Sequence, residues 1–221
     1  MAKLVWDAVG YRLYETGVKN CALYVMGDNG EYSKGVAWNG VTAITESPSG
    51  AEATPLYADD IKYLNLVSAE EFGATIEAYM YPDEFKVCNG EAELAGGVVI
   101  GQQSRKTFAL AYKTTVGNDT ESNDHGYKIH IVYGCLAAPS ERAYATINDS
   151  PEAITFSWEI TTTPVNVTGA KPTSILTIDS TKCDADKLAA LEAKLFGGDD
   201  EGAEPTLVLP DEVKTMMTAA E

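Results

Sequence analysis

The chain has little positive charge and few side chains that exchange protons near neutral pH. Its 221 residues include 16 lysines and arginines against 33 aspartates and glutamates, which gives a net charge of −17. A protein this acidic repels nucleic acid and anionic lipid, so a direct reader of nucleic acid is excluded. Of the two histidines, His125 falls in a polar turn and His130 on the polar side of a strand. Structural roles are commoner than catalytic ones in such places.

Sequence motifs of catalytic and cofactor sites are also missing. The chain has no Gly-x-Ser-x-Gly elbow, Walker loop or HExxH helix. The glycine-rich run 96–101 lacks the helix and the acidic partner that a dinucleotide fingerprint requires. The acid pairs Asp59–Asp60, Glu70–Glu71 and Asp83–Glu84 lack calcium-loop spacing and are typical of solvated surface charge. We therefore predict a protein that is not an enzyme and that holds no metal or cofactor; a hydrolase with a carboxylate pair is the minor alternative.

Four cysteines are present and lie far apart, with no CxxC pair: Cys21, Cys88, Cys135 and Cys183. This spacing argues against zinc and favours buried free thiols. The apolar core of residues 1–7 is too short for a signal peptide, and no apolar run approaches the length of a membrane span. We expect a protein that carries no export signal and does not enter a membrane.

Alternating strands are the clearest feature that the sequence does contain. Residues 153–163 lie between two prolines and place four apolar residues on one face: Ile154, Phe156, Trp158 and Ile160. Residues 71–81 repeat the pattern with Phe72, Ala74, Ile76, Ala78 and Met80. Residues 144–147 are a candidate for further pairing. These patterns predict a mainly β fold with long loops.

One helix is predicted over residues 185–196. Asp184 or Asp186 can cap its start, Gly197 can end it, and an apolar stripe for packing on a sheet is formed by Leu188, Leu191 and Leu195. Beyond it, residues 198–221 contain seven acidic residues and one lysine. We predict a domain of residues 1–197 and an acidic C-terminal extension of residues 198–221. The apolar run Pro205–Pro210 in this extension docks as an edge strand or remains flexible.

A long exposed loop is predicted between two strands. Its residues include two prolines and a glycine and show no apolar period: Ser47, Pro48, Ser49, Gly50, Ala51, Glu52, Ala53, Thr54, Pro55 and Leu56. Loops of this length in a globular domain are usually functional or disordered.

A set of short segments is familiar when it is taken in order along the chain. The segments are Leu56–Leu64, Glu70–Tyr79, Tyr81–Phe85, Gly101–Phe108, Gly117–Asp119, Phe156–Pro164 and Leu209–Val213. Together they resemble the major tail proteins, or tail tube proteins, of long-tailed bacteriophages that infect Gram-positive bacteria. The resemblance extends over nearly the whole chain.

This resemblance implies a structural virion protein, folded as a β-sandwich or partly closed barrel of two antiparallel sheets with one flanking helix and long loops. It implies that six copies form a ring, that their strands join in a continuous inner barrel, and that stacked rings form a tube through which the genome passes. The implied partners are further copies of the chain, the tape measure protein, the tail terminator and the baseplate or distal tail proteins. The implied location is the virion tail, assembled in the host cytoplasm.

An acidic lumen would let DNA slide because it repels phosphates. The candidate lumen-lining residues are Thr75, Glu77, Tyr79, Glu159 and Thr161, although the sequence does not decide which strands face inward. The loop Ser47–Leu56 is the candidate for contacts between rings. The alternative function is a monomeric β-sandwich that binds carbohydrate, with aromatic contacts from Tyr79, Tyr81, Tyr127 and Tyr133.

Overall fold

The computed structural model of the protein describes residues 3–147, 149–150, 152–198 and 204–218. Strands account for 44% of the chain and helices for 12%, with no closed barrel, which confirms the mainly β class and the β-sandwich with a flanking helix. The strands are β1 (Tyr14–Val25), β2 (Val36–Ala37), β3 (Val41–Glu46), β4 (Ser49–Gly50), β5 (Ala53–Ala58), β6 (Ile61–Val67), β7 (Glu70–Glu71), β8 (Gly73–Ala78), β9 (Ala92–Ala95), β10 (Val98–Ile100), β11 (Phe108–Asn118), β12 (Ser122–Ala137), β13 (Phe156–Thr162) and β14 (Ile175–Asp179). The helices are α1 (Ala185–Phe196) and α2 (Pro210–Thr218), with a 3-10 helix at Asp83–Val87.

The main sheet is antiparallel and branches at β12. Its order is β2-β1-β11-β12-β13-β8-β3, and β14 also pairs with β12. The middle of β12, from Lys128 to Val132, pairs with β14, and its last residues, from Cys135 to Ala137, pair with β13. Gly134 lies between the two pairings, with a φ of 61°. A Cβ there would lie 2.2 Å from the carbonyl oxygen of Thr163, so only glycine fits this branch point.

The two ends of this sheet approach each other and enclose an inner core. β1 contacts β3, although the two strands are not paired within the described residues, so the barrel is not closed by hydrogen bonds. Three buried rings of this core pack together, Trp38, Phe85 and Trp158, with ring centroids 4.5 to 5.6 Å apart. The indole nitrogen of Trp158 donates a hydrogen bond to Asn89 at 3.2 Å. These rings fix how the β13–β8–β3 part of the sheet lies over β1 and β11.

The helices cover the opposite face of β1, β11, β12 and β14. The predicted stripe of α1 is buried there, as Leu188, Leu191 and Leu195 pack in an outer core. The side chain of Asp184 caps the helix by accepting hydrogen bonds from the backbone amides of Asp186 and Lys187. The predicted helix and its cap are therefore confirmed. None of the helices in the described part of the chain is long and apolar enough to cross a membrane.

The C-terminal segment packs on the same outer core and contains a helix that the sequence did not predict. Residues 204–209 run along α1, and Val208 and Val213 are buried. The hydroxyl of Tyr133 donates to the carbonyl oxygen of Val208 at 2.9 Å. The apolar run therefore neither adds an edge strand nor remains unattached. The other residues of the predicted extension, 199–203 and 219–221, lie outside the described residues.

The two alternating strands are present but shorter than predicted. In β13, Phe156, Trp158 and Ile160 face the inner core as predicted, whereas Ile154 lies outside the strand and is exposed. β8 buries its predicted alanines and Ile76, but Met80 is exposed. The chain leaves the sheet before Met80 because it turns toward Pro82 and the 3-10 helix.

The cysteines follow the prediction at three of the four positions. Cys21, Cys88 and Cys135 are free thiols buried in the inner core, and burial raises the pKa of each. Cys183 is also a free thiol, but it is partly exposed beside α1.

Replacing Gly134 with alanine tests the branch point. We expect a loss of about 3 kcal/mol or more in the free energy of unfolding, because the new Cβ collides with the Thr163 carbonyl in addition to the strain of positive φ. The matched control is Gly169→Ala, which has a φ of 83° but open space around it, and should cost about 1 kcal/mol. Equal losses in chemical denaturation would contradict the assigned role of Gly134.

Candidate functional site

The predicted lumen residues come together on one face of the sheet. β8 and β13 pair antiparallel, with Thr75 opposite Glu159 and Gly73 opposite Thr161. Side chains that lie opposite each other in an antiparallel pair share a face. Glu77 lies on the same face, and Tyr79 is exposed one residue beyond the end of β8. The period-2 patterns of two strands distant in sequence thus meet as one surface.

This surface, which we call the polar face, continues onto β3. It consists of Ala43, Thr45, Thr75, Glu77, Ser157, Glu159 and Thr161. Neither α1 nor α2 packs on it, in contrast to the β1–β11–β12–β14 face. Its strands contain no lysine or arginine, and neither Glu77 nor Glu159 forms an ion pair with any described residue. The polar face is therefore small in side-chain volume and purely negative in charge.

The segment predicted as a loop, Ser47–Leu56, is instead half of a protruding hairpin. β4 pairs with β7 and β5 pairs with β6, so residues 49–71 form a two-stranded arm. Every residue of its four strands is exposed. The sequence shows no apolar period here because neither face of the arm meets a core, and Pro55 is tolerated because the outer edge of β5 has no partner strand. The predicted exposure is confirmed, and the predicted absence of regular structure is wrong.

Apolar side chains stand exposed along this arm. They are Leu56, Tyr57, Ile61, Tyr63, Leu64, Leu66 and Val67. Asp59 and Asp60 form the tip with positive φ values of 50° and 62°, a conformation that hairpins usually reserve for asparagine and glycine. A patch this apolar on a surface extension marks a contact with another molecule.

Three other extensions share this character. The first is the N-terminal segment, with Leu4, Val5, Trp6, Val9, Tyr11 and Leu13 exposed. The second is the β9–β10 hairpin, with Leu94, Val98, Val99 and Ile100 exposed. The third is the segment between β12 and β13, with exposed Tyr144 and Ile147. Exposed apolar area is concentrated on extensions, whereas both faces of the helix-covered sheet are buried.

The histidines occupy structural positions. His125 contacts Glu121 at 2.6 Å in the β11–β12 turn. His130 is buried and stacks on Tyr112, with its ring nitrogens 2.9 Å from the Thr114 hydroxyl and 3.3 Å from the Thr177 hydroxyl. Burial lowers the pKa of His130, and the nearby carboxylates of Glu46 and Glu15 offset this only in part.

The remaining candidates do not assemble into a ligand site. Asp59–Asp60 lie at the arm tip, Glu70–Glu71 at its base, and Asp83–Glu84 in the 3-10 helix. Among the described residues, no three or more histidine, cysteine or acidic side chains are grouped to hold a metal. Of the tyrosines proposed for carbohydrate, Tyr133 is fully buried and donates to Val208, and Tyr81 and Tyr127 are partly buried. They do not form an exposed aromatic platform.

Comparisons with known proteins identify no family. No family model matches the chain, and no curated protein matches it. Among solved structures, it is similar to a chain from "Cryo-EM structure of the anti-feeding prophage (AFP) baseplate, 6-fold symmetrised". That match has 10% sequence identity and a TM-score of 0.38, and covers 81% of this chain and 99% of the other. The similarity is too low to support an inference about this chain.

The buried position of His130 predicts a pH dependence of stability. Because its pKa is lowered in the folded protein, the unfolded chain takes up the proton first as the pH falls. We expect the contribution of His130 to be fully present above about pH 6.5 and to be lost as the pH falls through the lowered pKa. Chemical denaturation at pH 7.5 and pH 5.5 measures this, with His130→Gln as the control. An identical pH dependence in the variant would contradict it.

Proposed function

We propose that the protein is a structural subunit of a bacteriophage tail that self-assembles into a tube. The observation that carries this proposal is the arm of residues 49–71, which exposes apolar side chains on both faces and leaves both strand edges unpaired. Such a ribbon is only marginally stable alone and is a hazard in a monomer, but it becomes an assembly surface when identical copies meet. The resemblance of the sequence to tail tube proteins supports the same function.

The polar face supports the role of a conduit. Its strands offer threonine, serine, alanine and glutamates that form no ion pair with a described residue, and no cationic side chain to attract phosphate. Around a bore, this chemistry lets a polyanion pass without adhering. We propose that the polar face, with Thr75, Glu77, Tyr79, Glu159 and Thr161, lines the lumen. The helices α1 and α2 then lie on the outer side of the wall.

The finer features of the proposal follow from the resemblance. They are rings of six copies, stacking of rings into a tube, and contacts with the tape measure protein, the tail terminator and the baseplate or distal tail proteins. The protein would be assembled in the host cytoplasm and become part of the virion tail. In this function it has no catalytic role, cofactor or membrane contact.

Removing the arm tests the proposed self-assembly. The amide of Ser47 donates to the carbonyl of Gly73 at 2.8 Å, so the base of the arm can be closed by an Asn-Gly turn in place of residues 49–71, which keeps Phe72 packed against the inner core. We expect a folded subunit with unchanged cores that no longer forms rings or tubes. Negative-stain microscopy and sedimentation at several concentrations measure this. Normal tubes from the shortened chain would refute the role of the arm, and wild-type protein that stays monomeric would refute the tube.

Neutralising the polar face tests the lumen. We expect Glu77→Gln with Glu159→Gln to leave tube formation intact and to increase the retention of linear duplex DNA at low salt, because each copy loses two negative charges. The matched control is Glu31→Gln with Glu84→Gln, two exposed acids outside the polar face. Co-sedimentation of DNA with tubes is the measurement. If the lumen variant and the control retain DNA equally, the polar face does not line the bore.

A further inference from the structure

The segment between β12 and β13 presents a short stretch of backbone without a partner. Residues 143–147, which we call the donor segment, have no regular structure and are all exposed, with Tyr144 at 74% and Ile147 at 84%. Within the described residues, the backbone of the donor segment makes no hydrogen bond to another backbone group. Tyr144, Thr146 and Ile147 are residue types that favour strands. The segment therefore has the composition of a strand but joins no sheet in the part of the chain that the structure describes.

Arg142 fixes the point from which the donor segment leaves the body. Its guanidinium contacts the carboxylate of Glu91 at 2.6 Å and lies 5.5 Å from the ring centroids of both Tyr81 and Phe156. Glu91 also accepts a hydrogen bond from the side-chain amide of Asn89 at 2.9 Å. Since Arg142 is held by charge and by two rings, the adjoining residues emerge at a defined place on the surface.

The arm, in turn, has strand edges that lack a partner strand. Its longest strands, β5 and β6, have six and seven residues and pair only with each other. A two-stranded ribbon needs a third strand or a packing surface to be stable. Lys62 on β6 and Glu141, which precedes the donor segment, carry opposite charges and form no ion pair with any described residue. The five residues of the donor segment fit within the length of either arm strand.

We propose that the arm of one copy takes the donor segment of a neighbouring copy as a third strand. This inference rests on the proposed function, because it requires neighbouring copies, and it names their point of contact. Backbone hydrogen bonds along the arm edge give the affinity, and the side chains of Tyr144, Thr146 and Ile147 give the register. Both parts are supplied by every copy, so the contact repeats from one subunit to the next.

A proline in the donor segment tests the contact. Ala145→Pro removes one amide and breaks strand geometry, but costs the subunit no internal backbone hydrogen bond. We expect it to raise the protein concentration needed for assembly at least about tenfold, the effect of losing one or more hydrogen bonds at each contact. The matched control, Ala145→Val, keeps the amide and favours a strand, and should assemble as the wild type does. Hydrogen exchange should show that residues 53–67 gain protection on assembly in the wild type and in the Ala145→Val control. Normal assembly of the proline variant would overturn the inference and leave the tube proposal standing.

A peptide experiment decides the question even if the variant misfolds or the wild type stays monomeric. A synthetic peptide of residues 139–147 is added to the wild-type subunit, beside the same peptide carrying Ala145→Pro. Protection of the arm amides by the first peptide and not by the second supports strand addition. No protection by either peptide, or equal protection by both, overturns it. Failure of the wild-type protein to assemble would count against the tube alone.

Discussion

Backbone hydrogen bonding along β12 is the constraint on which the two-layer architecture depends. Along one edge of this strand, the residues before Gly134 pair with β14 and the residues after it pair with β13. The change of partner occurs at Gly134, which has a positive φ. Before this residue, the sheet is sandwiched between the inner core and the helices. After it, the sheet has a core on one side and solvent on the other. The branch therefore separates the part of the molecule that provides stability from the part that presents the polar face.

Sequence patterns were informative wherever one side of an element meets a core. The alternation around Trp158 and Ile76 predicted two strands and their inward faces, and the stripe containing Leu191 predicted α1, because a buried face imposes a period on its residues. The arm has no buried face, so its strands left no period and were predicted as a loop. The helix α2 has nine residues and fully buries only Pro210 and Val213, so its apolar signal was too weak to recognise.

For the polar face and the donor segment, the sequence identified candidate residues, but only the structure shows which residues lie next to one another. Each of Glu77 and Glu159 was assigned to the polar side of its own strand, but no local pattern states that Thr75 lies opposite Glu159. Pairing between strands 84 residues apart in sequence depends on the whole topology. The donor segment was expected to pair within the chain near Tyr144, and its strand-forming composition was recognised, but its lack of an internal partner appears only in three dimensions.

The three buried thiols of the inner core can report when that core opens. Burial raises the pKa of Cys21 and Cys88 to about 12, and the pKa of Cys135 is raised further, so almost none of these groups is a reactive thiolate at neutral pH. An alkylating reagent would reach them only when the inner core opens, whereas Cys183 lies partly exposed outside that core. The rate of alkylation at these three sites therefore counts opening events of the β-sandwich, without any engineered cysteine.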